Sequence, residues 1–111
     1  LDVFETVHRE LFVPAGFADL AFAETEIPIG HGESMLTPVI EGRILQALAL
    51  SPADAVLEIG TGTGFLTACL ARLAETVVGI HIHEDFVEGA RRNLDVAGIG
   101  NANLERMDGT R

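Results

Sequence analysis

The pattern of apolar and polar positions changes character halfway along the chain. Asp2–Leu11 puts Val3, Phe4, Val7 and Leu11 on one helical face and its charges on the other. Pro14 and Gly16 stop that pattern. Phe17–Ala23 is a second short apolar segment without a clear period. Residues 27–34, Ile-Pro-Ile-Gly-His-Gly-Glu-Ser, are dense in turn formers and read as a loop. A helix then opens at Pro38, with Thr37 as its cap and Glu41 three residues past the proline. Ile40, Ile44, Leu45 and Leu48 form its apolar stripe, and Ser51–Asp54 is a turn.

From Ala55 onward, short β-branched runs alternate with helical periods. Val56–Ile59 is an apolar run that reads as a buried parallel strand. Leu66–Ala74 follows as a helix with Leu66, Leu70 and Leu73 inward. Thr76–Ile82 is the second strand. Glu84–Ala97 is a helix with Phe86, Ala90, Leu94 and Ala97 at helical spacing, stopped by Gly98 and Gly100. Ala102–Met107 is a weaker third strand. Right-handed crossovers then give a parallel sheet in spatial order third, second, first. The predicted class is α/β: a truncated Rossmann-like three-layer sandwich, sheet order 3-2-1, preceded by N-terminal helices. Residues 1–50 form a helical and loop segment and 51–111 the sheet-bearing half, one structural domain in all.

The chemistry-bearing stretch joins the first strand to its helix: Glu58-Ile59-Gly60-Thr61-Gly62-Thr63-Gly64-Phe65. Strand, glycine loop and helix N-terminus together aim backbone N–H groups at a ligand. The dinucleotide fingerprint G-x-G-x-x-G is absent, because the spacing is G-x-G-x-G and Phe65 stands at the third glycine's place. No Gly-Lys-Ser/Thr follows, so a phosphate is not demanded. The Glu58 carboxylate repels pyrophosphate and suits a cationic or hydroxyl-bearing ligand. S-adenosylmethionine, with a sulfonium and an ammonium, is such a ligand. A glycine-rich turn that binds nothing is the plainer alternative. Ligands of such sheets lie beyond the carboxyl ends of the strands, where the glycine loop, the His81–Asp85 segment and Asp108-Gly109 converge.

Composition narrows the partners. Seventeen acidic and seven basic residues give a formal charge of −10, which argues against unaided binding to nucleic acid or anionic lipid. Cys69 is the single cysteine and reads as a small buried hydrophobe; with no internal disulfide, a cytoplasmic setting is expected. No apolar run reaches membrane-spanning length. His81-x-His83 puts two imidazoles on one side of a strand, with Glu84 and Asp85 next. That set suits zinc or a similar divalent ion, with His31 bordering the same cleft. Two ligands are too few, but a homodimer would supply four, and such a metal would activate water for ester or phosphoester hydrolysis. The plainer alternative makes them ordinary residues at a strand end and a helix cap. His8 reads as solvent-facing.

The chain also resembles the protein-L-isoaspartate O-methyltransferases, a family of class I S-adenosylmethionine-dependent methyltransferases. The matching residues are Phe12-Val13-Pro14, Ile27-Pro28-Ile29-Gly30-His31-Gly32, Pro38, Val56 to Phe65, and Asp108-Gly109. The resemblance implies that Glu58, Gly60, Thr61, Gly62, Thr63 and Gly64 hold the methionine part of the cofactor. It implies that the second strand's end faces the ribose and that Asp108 and Gly109 lie near the adenine. It also implies methyl transfer to the free carboxylate of an isoaspartyl residue in a damaged protein. Three departures stand out. Ser34, Leu36 and Thr37 lie in the substrate loop, where the family runs Gln-Thr-Ile-Ser-Gln-Pro, and Leu36 takes the serine's place. His81 stands where an acidic residue is expected, and as a cofactor-binding residue its neutral imidazole bonds a ribose hydroxyl through only one donor or one acceptor at a time. The chain also has about half the family's usual length, so Val56–Ile59 is expected to be an open edge that a homodimer buries. A non-catalytic binding or assembly module is the remaining reading.

Overall fold

The computed structural model describes residues 3–107; the expected adenine-side pair Asp108-Gly109 lies outside them. The first stretch is not one helix. Helix α1 covers Val3–Thr6, and 3-10 turns follow at Arg9–Phe12 and Ala18–Leu20. Val3 and Val7 are buried as the pattern predicts, but the tighter winding brings Phe12 into the core in place of Leu11, which stays exposed. Arg9, expected on the solvent face, is buried too.

Residues 27–35 are also not a plain loop. Strands β1 (Ile27–Gly30) and β2 (Glu33–Met35) pair antiparallel, Ile27 opposite Met35 and Pro28 opposite Ser34. His31 and Gly32 form the two-residue connection with φ of +53° and +73°. Positive φ at both positions is the primed turn that matches strand twist. Ile27 and Met35 anchor the hairpin in the core.

Helix α2 (Pro38–Leu48) starts where expected, the Thr37 hydroxyl accepting the Ile40 N–H at 3.4 Å. Its buried residues are Glu41 and Leu45, whereas Ile40 and Leu48 are exposed. The apolar stripe is therefore rotated from the predicted one, because Arg9 pairs with Glu41 in the interior.

Strands β3 (Ala55–Ile59), β4 (Thr76–His81) and β5 (Ala102–Arg106) form a parallel sheet in the order β3-β4-β5. This is the predicted third-second-first order. Register sets Glu58, Gly79 and Leu104 side by side. That face meets α3 (Phe65–Leu73) and α4 (Glu84–Val96), and Val77 and Leu104 join Ala68, Leu70, Val87 and Leu94 in the core. The opposite face is open: Leu57 is 63 % and Ile59 77 % exposed. The run read as a buried strand is thus buried on its helix side only. Among the described residues no helix is long and apolar enough to cross a membrane.

Gly79 lets the glycine loop rest on the sheet. A Cβ there would come 2.5 Å from the Thr61 methyl and 2.7 Å from Leu104 Cδ2.

Candidate functional site

The loop after β3 is built from backbone geometry. Gly60 donates to the Ile80 carbonyl at 2.8 Å, which ties the loop to the end of β4. Gly60, Gly62 and Gly64 adopt φ of +86°, +53° and +93°, a region that favours glycine. Gly64 donates to the Thr61 carbonyl at 2.9 Å and starts α3 with no side-chain cap. Among the described residues, the N–H groups of Thr61, Gly62 and Thr63 donate to nothing. Free loop amides beside an uncapped helix N-terminus form a donor cradle.

A half-open cavity lies over this loop. Glu58, Gly60, Thr61, Gly62 and Thr63 line it from below; Ile29, Ser34 and Leu36 line it from the hairpin and the residues just after it. Gly64 is not among the lining residues; its α-carbon faces Ala90 of α4, where an added Cβ would sit 3.1 Å from the alanine's own. Of the hydroxyls in and just after β2, Thr37 is spent on capping α2, while Ser34 borders the cavity.

Glu58 is buried and accepts the Thr67 hydroxyl, with no cation beside it among the described residues. Burial pushes its carboxyl up to about 7 against the smaller pull of the Thr67 bond. Thr61 Oγ1 is buried with no partner among the described residues. A buried carboxyl lacking a counter-charge, an unpartnered hydroxyl and free amides together suit a ligand bearing an ammonium and a carboxylate. Glu41 also borders the cavity, but its carboxylate is taken up by Arg9.

The end of β4 holds a histidine cluster. His81 is 5 % exposed; its Nδ1 accepts the His83 N–H at 3.1 Å, and its Nε2 lies 3.2 Å from Glu33 Oε1. The His31 and His83 rings stack with centroids 3.8 Å apart, and Phe86 packs edge-on against all three histidines. His31 Nε2 meets both Asp85 oxygens at 3.0 and 3.1 Å, a bond that holds the Asp85 carboxyl below its usual range. His81 and His83 do come together, with ring centroids 5.4 Å apart. Yet among the described residues no group of three or more His, Cys, Asp or Glu could hold a metal ion. The lone pair of His81 Nδ1 is engaged by the His83 N–H.

Two functional contacts escape sequence reasoning: Glu33 on His81, and Arg9 on Glu41. The first had a signal in Gly30-His31-Gly32, a primed-turn sequence that folds Glu33 back beside Gly30. The second joins residues 32 apart with no local signature.

Comparison with known proteins agrees with this architecture. The family model described as Protein-L-isoaspartate(D-aspartate) O-methyltransferase matches residues 1–111. A Protein-L-isoaspartate O-methyltransferase of Petrotoga mobilis is 40 % identical over 111 residues, covering 100 % of this chain and 52 % of its own. Protein-L-isoaspartate O-methyltransferase 2 of Pelobacter propionicus is 38 % identical over 110 residues, covering 99 % and 49 %. A Plasmodium falciparum beta-aspartate methyltransferase, solved in complex with S-adenosyl-L-homocysteine, superposes with a TM-score of 0.79 at 21 % identity. That likeness covers 94 % of this chain and 52 % of the other, and it shows the shared fold. The chain spans about half the length of the curated relatives it matches. It belongs to the protein-L-isoaspartate O-methyltransferase family.

Proposed function

We propose that this domain binds S-adenosylmethionine over the Gly60–Gly64 loop and serves methyl transfer to isoaspartyl carboxylates in proteins or peptides. The observation that carries this is the row of amides beside Glu58 that are free among the described residues, Glu58 being a buried carboxyl with no counter-charge among them. Bound there, the cofactor supplies an electrophilic methyl group. The amides of Thr61, Gly62 and Thr63 accommodate its carboxylate, and Glu58 faces its ammonium. The incoming carboxylate is already a nucleophile at neutral pH, so the chain's task is to align and desolvate it. Ser34, which borders the same cavity, is the hydroxyl we assign to donate to that carboxylate.

Calorimetric titration with S-adenosylhomocysteine tests the reading. One saturable site is expected, weakened about tenfold or more by Glu58→Ala, the size of a lost charge-assisted contact. No binding heat from the folded chain would overturn it. We also propose that the chain self-associates through the open edge of β3. The metal-dependent hydrolase and the non-catalytic module have no observation that favours them.

A further inference from the structure

We infer that Glu33, carried on the β1–β2 hairpin, supplies the carboxylate that grips the ribose hydroxyls of the bound nucleoside, with His81 as its positioning residue. The inference rests on the cofactor site proposed above. Nucleotide-binding parallel sheets place an acidic residue about 20 residues past the first glycine, at the end of the next strand, to accept from a ribose hydroxyl. His81 occupies that place here. It is unable to do the same work. Its Nδ1 accepts the His83 N–H, which leaves the proton on Nε2, and Nε2 donates to Glu33 Oε1. Both ring nitrogens are spent inside the protein.

The neighbouring carboxylates do not replace it. Asp85 is drawn to His31 by both oxygens, and Glu84 makes no hydrogen bond to the cluster among the described residues. Glu33 differs. One oxygen is held by His81, while the other lies 3.7 Å from His83 Nε2, beyond hydrogen-bond length. Its side chain is 39 % exposed, so solvent or a ligand reaches it. Its position is apt as well. The next residue, Ser34, borders the cavity over the glycine loop, and Gly60 is bonded to Ile80, the residue before His81. Glu33 is thus tied to the strand end through His81 and sits one residue before Ser34 of the cavity lining. Ionised, it accepts two hydroxyls where an imidazole would engage one. The acidic function has moved from the sheet to the hairpin, and His81 anchors it there.

The experiment titrates the whole chain with S-adenosylhomocysteine and with its 2′-deoxy and 3′-deoxy analogues. Glu33→Gln is expected to weaken the parent about tenfold or more, as loss of a charge-assisted bond does, and to weaken at least one deoxy analogue much less. His81→Ala should lower parent affinity with the same selectivity. The double variant Glu33→Gln/His81→Glu, which returns the acid to the strand, should recover most of the loss. Equal binding by Glu33→Gln, or equal weakening of parent and both analogues in a variant folded by circular dichroism, overturns the inference while leaving the cofactor site intact. If the wild-type chain binds none of the three, the site reading and this inference fall together.

Discussion

Single residues around the glycine loop carry charge that folding has taken from water. Glu58 shows the consequence most directly. Its folded-state pKa is raised from 4.5 to about 7, chiefly by burial. A carboxyl raised in this way holds a proton in the native state that the unfolded chain has already released. Stability from Glu58 is therefore fully present below about pH 4.5 and is lost as pH climbs to about 7. A shift of this size corresponds to roughly 3 kcal/mol. Urea unfolding of wild type and Glu58→Gln at pH 5 and pH 7.5 checks it. Wild type should lose more stability across that interval than the variant, because the amide does not titrate. Parallel losses would mean that Glu58 is ionised and solvated in the fold. The position of Glu58, ahead of the glycines on an apolar strand, was legible in the sequence. Its lack of a counter-charge was not, since that depends on which distant side chains fail to reach it.

At the scale of elements, the least foreseeable feature is the tie between the first 3-10 turn and α2. Arg9 pairs with Glu41, donates to the Leu36 carbonyl at 3.0 Å, and lies 4.9 Å over the Phe65 ring. One guanidinium thus links the N-terminal turn, the stretch after β2 and the first residue of α3. Arg9→Met would leave Glu41 buried without its partner, at a cost of about 3–5 kcal/mol. Chemical denaturation at pH 8 should show that loss. Replacing both partners, Arg9→Met/Glu41→Leu, should recover most of it, and failure to recover would mean that the backbone bonds of Arg9 matter more than the charge pair. The βαβαβ half was readable because parallel strands are nearly continuous apolar runs and each crossover has one favoured hand. The stretch before α2 was not, apart from the burial of Val3 and Val7. Pro28, Gly30 and Gly32 mimic a loop, yet in a short hairpin they serve the bend between Ile27 and Met35. The stripe on α2 is rotated because Glu41, read only as part of the helix start, turns inward to meet Arg9, 32 residues away in the chain.

For the whole molecule, the question is what an open sheet does in water. The described residues pack compactly, with a radius of gyration of 13.0 Å against about 13 Å expected for a 100-residue domain. One face of the sheet has its helices, and β4 is paired on both sides. Strand β3 has no outer neighbour among the described residues, and it presents Leu57 and Ile59 beside that unpaired edge. Such an edge offers both backbone donors and apolar area to another strand. The self-association proposed for the 111-residue chain would pair two β3 edges about a two-fold axis, running antiparallel and burying the same residues on each side. The formal charge of −10 works against this by self-repulsion, and salt screens that repulsion. Association should therefore rise with ionic strength. Light scattering on the 111-residue chain at micromolar concentration should give a dimer mass at 0.3 M salt and a lower average mass at 0.02 M. Ile59→Lys should shift both values toward the monomer while the glycine loop keeps its affinity for S-adenosylhomocysteine. A monomeric mass for wild type at both salt levels would show that the edge does not pair even with the repulsion screened, and that β3 tolerates water on its outer side.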